Sequence, residues 1–312
     1  MSNRIPNLFP DARRRRGHAR LRTILWVTAG AALFLAADIA LAPIIQRSAI
    51  QKLVTAHPDT TSYMRYAAAR GHRLREMTWV PLSSIAPVAV CAVVLSEDQR
   101  YFEHGTLDYP AQRKFARNVF HGDFRHGFSG IPQQLARNLF LSPERTVSRK
   151  AKEYLLAHRI SHTLTKDRLL ELYLNVAEWG DGVWGIEAAS QHYFGVSAAS
   201  VTPLQAVLLA SLLPAPRREL PFMLGPSASR RQEDLFHSLW KTGLLNNLEL
   251  GASLDRVREW HAHARTSGSV RDALLHTTAI IGDEWIEHQA LELHFPSLPL
   301  ARACDVTRRD RN

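Results

Sequence analysis

Ser96-Glu97-Asp98-Gln99-Arg100-Tyr101-Phe102-Glu103-His104 follows directly on an almost wholly apolar run, Ala86 to Leu95. Downstream stand Ser129-Gly130-Ile131-Pro132-Gln133-Gln134 and then Arg149-Lys150-Ala151-Lys152-Glu153. The outer two segments set acids beside polar and basic partners. The middle one is a small-residue turn, opening at Gly127-Phe128, that leads into paired amides. This is the inventory for activating a hydroxyl while an anionic leaving group is held. A carboxylate at the mouth of an apolar segment is partly desolvated, which raises its pKa from about 4.3 toward the range of a general base. Taken alone, Glu97 and Asp98 also read as a capped surface turn. Arg149 and Glu153 stand four apart and share a helix face. An isolated pair of that kind is worth only about 0.3–0.5 kcal/mol. With Arg137 and Arg145 added, four basic groups crowd one acid, and Arg forks bind phosphate oxygens two at a time.

Upstream of this region lies a connecting segment, residues 46–78, in which Ser48 to Arg75 is read as helix with Tyr63, Met64 and Tyr66 as packing residues. Thr78 to Leu82 is expected to be extended, because Pro81 disfavours helix just before it. The run Ala86 to Leu95 fits a buried strand or a buried helix by periodicity; Pro87 after Ser83-Ser84 favours helix. Val147, Ala151, Leu155 and Leu156 predict the buried stripe of another helix.

The formal charge is +10, but six of those charges come from the first 22 residues, which hold seven Arg and one Asp. The rest is only mildly basic, so nucleic acid is not the expected partner. Residues 23–45 form an apolar run with one charge, Asp38. About 20 such residues cross a bilayer core, and the Arg cluster before them predicts a cytoplasmic N-terminus. An uncleaved anchor is expected, with a cleaved signal peptide as the alternative. Two cysteines, Cys91 and Cys304, exclude a disulfide scaffold. Cys91, in Val90-Cys91-Ala92-Val93, reads as a small buried apolar residue.

Toward the C-terminus, Thr165 is expected to cap a helix through Asn175. Trp179 to Gly182 reads as a turn, and Glu187–Phe194, Leu204–Leu213 and Ser227–Trp240 read as helices. Beyond residue 251 there are helical patterns over Leu254–Ala264 and Ala273–Leu293 but no motif. His261, His263 and His276 are too irregularly spaced for a metal site.

Five blocks now stand in order. They are Glu97-Asp98-x-x-Tyr101-x-x-His104, Gly127-x-Ser129-x-x-x-Gln133-Gln134, Arg149-Lys150-x-x-Glu153, Leu170-Glu171-x-Tyr173-Leu174-Asn175, and Gly185-Ile186-Glu187-Ala188-Ala189 with Tyr193-Phe194-Gly195. Together they resemble the peptidoglycan glycosyltransferases of family 51, most closely the monofunctional biosynthetic transglycosylases. Any one block is weak; five in register are specific. The resemblance runs from Trp79 to Leu248. Tyr101 stands where that family usually has Phe, Gly130 and Pro132 where it has two Thr, Phe128 and Thr106 where it has Gly, and Arg137 where it has Lys.

The resemblance implies a mainly α, lysozyme-like glycosyltransferase domain over residues 79–250. This domain would follow a basic arm (1–22), a single transmembrane helix (23–45) and the connecting segment. Residues 251–312 would be a helical extension. It implies polymerisation of lipid II, a disaccharide-peptide on polyprenyl pyrophosphate, into β-1,4 glycan strands with inversion. Glu97 would be the general base and Glu153 the second catalytic acid. Asp98, His104, Ser129, Gln133, Gln134, Arg137, Arg145, Arg149 and Lys150 would bind substrate, with Tyr173, Asn175 and Glu187 in support. No cofactor is required, although a divalent cation, Mg or Mn, could bridge the pyrophosphate. The expected partners are lipid II, the growing strand, the membrane and proteins of division or wall synthesis. The expected place is the inner membrane, with the domain in the periplasm. The rival readings are a catalytically impaired scaffold and a lytic murein glycosidase.

Overall fold

The apolar run that ends at Glu97 is a helix with Pro87 in its first turn, where a missing N–H costs nothing. It lies near the start of a mainly α chain. The computed structural model describes residues 11–72, 74, 77–120, 129–217, 223–275 and 300–306. The first elements are α1 (Asp11–Ile45), α2 (Arg47–Lys52), α3 (Ser62–Ala69), a 3₁₀ turn over Leu82–Ser84, and α4 (Pro87–Glu97). Next come α5 (Tyr109–Phe120), α6 (Ile131–Phe140), α7 (Val147–Thr163) and α8 (Lys166–Val176). A small antiparallel hairpin of β1 (Glu178–Gly180) and β2 (Val183–Trp184) pairs Glu178 with Trp184. After it follow α9 (Ile186–Phe194), α10 (Pro203–Leu212), α11 (Pro226–Thr242), α12 (Asn247–Ala264), α13 (Val270–Leu275) and α14 (Leu300–Ala303).

Val88 through Leu95 are all buried, so α4 is apolar on every side and must sit at the centre. Helix α10 is equally apolar and packs along it, and α11 covers both. Helix α6 packs against α7 and α8. This arrangement delivers the C-terminal end of α4, with Glu97, to the side where α6 and α7 present their polar residues.

The connecting segment is tied onto α8 by side chains. Arg168 donates to the carbonyls of Leu53 at 2.8 Å and Ala56 at 2.7 Å. Asn175, fully buried, bonds the N–H and C=O of Val80 at 2.9 and 2.8 Å. Residues 78–81 are therefore held by α8 and do not join the hairpin. Thr165 caps α8 as expected, accepting the Arg168 N–H. Gly185 has φ of +86°, and a Cβ there would meet the Asn175 carbonyl at 2.8 Å; only glycine lets the hairpin turn into α9 at that distance.

Three expectations are corrected. The connecting segment is two short helices, α2 and α3, rather than one, because the chain leaves the helix between Leu53 and Thr61. Of the stripe predicted for α7 only Leu156 is buried: Ala151 is half-buried, and Val147 is 89% and Leu155 38% exposed. The buried set is Glu153, Leu156, Ala157 and Ile160, also at helical spacing, and it includes an acid that an apolar pattern passes over. Cys91 is buried, but it is disulfide-bonded to Cys304 across 213 residues, with Cα atoms 5.1 Å apart. A cross-link closing so long a loop stabilises by roughly 2–5 kcal/mol. It fastens α14 to α4 six residues before Glu97, so the C-terminal extension returns to the helix that bears the first acid. Gly127, Phe128 and all of 276–293, His276 included, lie outside the described residues.

From Leu25 onward the N-terminal helix is long and apolar enough to cross a membrane, and Trp26, Leu33, Phe34 and Ile45 are exposed along it. Helix α1 lies against α7.

Candidate active site

Glu97 closes α4, and Gln134 projects from the first turn of α6. Gln134 Nε2 donates to Glu97 Oε2 at 2.8 Å and to the Ser129 carbonyl at 3.0 Å. Its Oε1 accepts the Tyr173 hydroxyl at 3.1 Å, which fixes the amide with its donors toward the acid. Ser129 Oγ accepts from Lys150 Nζ at 2.7 Å. Lys150 also pairs with Glu153, whose other oxygen takes Arg149 Nη1 at 2.6 Å. One hydrogen-bonded chain thus runs Glu97, Gln134, Ser129, Lys150, Glu153, Arg149. It joins two acids that lie far apart in sequence.

The two acids have different surroundings. Burial pushes the Glu97 carboxyl above the ordinary glutamate value, against the opposing pull of the Gln134 hydrogen bond and the charge of Arg137; Asp98 adds to the rise. Glu153 is 1% exposed and shared by two cations. The cations exceed the carboxylate that neutralises them. The buried Nε atoms of Arg137 and Arg149 have no hydrogen-bond partner among the described residues. Donors of that kind are costly to leave unpaired, and they suit an anion that arrives from outside.

The other residues marked in the sequence are placed as follows. Asp98 is buried; its Oδ1 meets His104 Nε2 at 2.6 Å and its Oδ2 accepts the Ile131 N–H at 3.0 Å. The His104 side chain is buried in that contact. Gln133 is buried, and its Oε1 accepts the Gly130 N–H at 3.1 Å. These three therefore build the entry to α6 and turn inward. Arg145 is exposed on the loop before α7 and, among the described residues, joins none of these bonds. Glu187 accepts the Ala198 N–H at 2.7 Å, away from the chain of bonds. Two further residues were not marked as site residues from sequence. Tyr63 on α3 has its ring 5.7 Å from the Arg137 guanidinium carbon. Glu178 is raised by burial and drawn back by Arg217, whose Nε lies 2.8 Å away. The one signal for Glu178 was a lone acid between Ala177 and Trp179; Tyr63 looked like ordinary packing.

A family model for transglycosylases matches residues 65–239. The chain belongs to the transglycosylase family. It is 46% identical over 161 residues to a biosynthetic peptidoglycan transglycosylase of Rhizobium leguminosarum bv. trifolii, which covers 51% of this chain and 68% of that one. A protein of the same name from Nitrosomonas europaea is 48% identical over 155 residues, 48% of this chain and 64% of its own. One from Alcanivorax borkumensis is 44% identical over 161 residues, 51% and 65%.

Gly130 and Pro132 stand at the start of α6 of this transglycosylase where the resemblance sets two Thr, and the structure shows what meets the first-turn donors. Asp98 accepts the Ile131 N–H, Pro132 has no N–H to satisfy, and Gln133 and Gln134 donate to the Gly130 carbonyl at 3.1 Å. Every first-turn donor is met. Gly130 is also required by contact, since a Cβ there would stand 2.5 Å from Asp98 Oδ2. That carboxylate is buried and held from both sides, so it cannot swing clear. Gly130→Ala is expected to displace it, costing about 1–3 kcal/mol for the orphaned donor and lowering transglycosylase activity. Thermal unfolding and initial rates of the variant check both; a fully active and equally stable Gly130→Ala protein would mean that Asp98 does not cap α6. Tyr101, another departure, gives its hydroxyl to the Lys166 carbonyl at 2.7 Å, which locks the turn after Glu97 to α8.

Proposed function

We propose that the chain is a peptidoglycan glycosyltransferase of cell-wall synthesis that extends glycan strands from lipid II. The carrying observation is the bonded chain from Glu97 to Arg149, with a desolvated acid at one end and under-neutralised cations at the other. Glu97 takes the proton of the acceptor 4-hydroxyl, a step worth about 10²–10⁴-fold. The hydroxyl oxygen forms a bond to the anomeric carbon of the growing strand as the bond to the lipid pyrophosphate breaks. An α-linked donor then gives a β-1,4 product with inversion. Arg149, Lys150 and Arg137 take up the negative charge that develops on the departing pyrophosphate. Arg145, on the open loop, meets the same group from the solvent side. Glu153 holds Arg149 and Lys150 in place, and Asp98 with His104 sets the entry of α6, which aims Gln134 at the base.

A divalent cation at the pyrophosphate does not suit the residues present. Among the described residues, the carboxylate beside the proposed pyrophosphate cations is Glu153, which Arg149 and Lys150 already share. Asp98, His104 and Asp108 do bring ligand atoms within 4.8 Å of one another. Asp98 and His104 bond each other, and Asp108 holds the Ala111 N–H and Arg100.

The N-terminal helix keeps the enzyme in the membrane plane to which a lipid-linked donor is confined. The Arg-rich arm puts the N-terminus in the cytoplasm and the domain in the periplasm. The Cys91–Cys304 bond agrees, since disulfides persist in oxidising compartments. The reading is tested by incubating the purified full chain with labelled lipid II, with and without moenomycin. Inhibitor-sensitive polymer is expected. Release of soluble fragments from sacculi, with no polymer from lipid II, would instead mean a lytic glycosidase.

A further inference from the structure

The run that crosses the membrane carries one charge, Asp38, and the mechanism above makes no use of it. A carboxylate on a membrane-spanning helix is expensive and is retained when it has a partner. Asp38 has one: its Oδ2 lies 2.6 Å from Lys152 Nζ, with the two side chains 44% and 24% exposed. Seven residues separate Asp38 from the end of α1, which at 1.5 Å per residue puts it roughly 10 Å below the helix end, near the outer face of the bilayer. Lys152 is on α7, one residue before Glu153 and three after Arg149. Successive residues on a helix point about 100° apart, so Lys152 occupies the flank of α7 while Glu153 points into the core. The same helix therefore grips the anchor with one side and holds the cations of the site with another. Helix α2 also lies against α7, so the anchor and its continuation make a joint bed for that helix.

We propose that Asp38 and Lys152 form a latch between the membrane anchor and α7 that sets the height and tilt of Arg149 and Lys150 above the membrane plane. This rests on the reading of the donor as a lipid pyrophosphate. A headgroup fixed at one depth can be met only by cations fixed at the matching depth. A freely jointed anchor would let the domain ride above it. Both are positioning residues; neither touches the reacting atoms.

The test uses the full chain in lipid vesicles that contain lipid II. Asp38→Asn and Lys152→Met are each expected to raise the KM for membrane-held donor about three- to tenfold, within the coupling range of residues in direct contact, with kcat little changed. The double variant is expected to cost no more than either single one. With a short-chain donor in detergent, where there is no bilayer plane, all four proteins should run alike. Separately, a zero-length carbodiimide, which joins a carboxylate to an amine in contact with it, is expected to link Asp38 to Lys152 within one parent chain, with the linked peptide absent from Asp38→Asn, a readout that needs no activity. Failure of the cross-link would overturn the proposal. So would single variants with the parent KM in vesicles, or equal losses in detergent. If the parent makes no polymer while the cross-link forms, the failure belongs to the functional reading and not to the contact.

Discussion

Glu97→Gln is expected to give a folded protein that makes essentially no glycan from lipid II, a fall of about 10²–10⁴-fold or more. The amide keeps the shape and can still accept the Gln134 donor, so the loss isolates the proton acceptor. The same change has an opposite signature in stability. Burial raises the Glu97 carboxyl above its unfolded value, so the folded state disfavours the charged form. The stability associated with this group is fully present below the ordinary glutamate pKa of about 4.3 and is lost as pH rises through the raised folded value. Above that value the folded parent holds a partly desolvated charge that Gln removes. Glu97→Gln should melt at or above the parent temperature at pH 7, and the two should converge in acid. Parent-level polymerisation by Glu97→Gln would show that another group is the base. A variant that melts lower at both pH values would show that Glu97 is structural.

The second large effect is expected at Glu153. Removing it as Glu153→Ala leaves Arg149 and Lys150 without their counter-charge beside a core position that is 1% exposed. Breaking a buried pair costs about 3–5 kcal/mol. Lys150 retains one third of its side-chain exposure, so the lower end of that range is expected, with a fall in Tm of roughly 6–12 °C for a domain of this size. Replacing Arg149, Lys150 and Glu153 all by Met should recover most of the stability, because an apolar set of similar volume avoids the desolvation of three charges. It should recover no polymerisation. Thermal melts beside initial rates check both parts. Activity in the triple variant would remove the cations from the mechanism, and a fully stable Glu153→Ala protein would remove Glu153 from its place as their clamp.

Much of this site was legible because chemistry forces unusual neighbours in sequence. An acid one residue beyond ten apolar residues, and a Gln pair after a small-residue turn, stand out against helical periodicity. So does Arg-Lys-x-x-Glu, whose members must share one helix face to pair. The helical state of α4 was legible from Pro87, and the cap of α8 from Thr165. Other features were not, for reasons that are equally physical. The buried face of α7 includes Glu153, and a hydrophobic pattern cannot mark a buried charge whose partners lie on the same helix. Asp98 was marked for substrate, and its bonds to His104 and the Ile131 N–H are contacts that only tertiary folding creates. The Cys91–Cys304 bond joins the start of the domain to the C-terminal extension, and sequence spacing says nothing about a loop of that length. Tyr63 reaches the site through the packing of α3 on α6, two elements that the sequence reading assigned to different regions.

The most direct test of the account is the pH dependence of kcat/KM for lipid II, measured on the full chain and on Gln134→Ala, since this quantity reports the free enzyme's essential groups. The acidic limb should lie above the ordinary glutamate range, because burial lifts Glu97. It should move to still higher pH in Gln134→Ala, which loses the hydrogen bond that lowers that carboxyl. A limb at the ordinary carboxylate position, or one that stays put when Gln134 is removed, would contradict the claim that Glu97 is the desolvated base at the head of this chain.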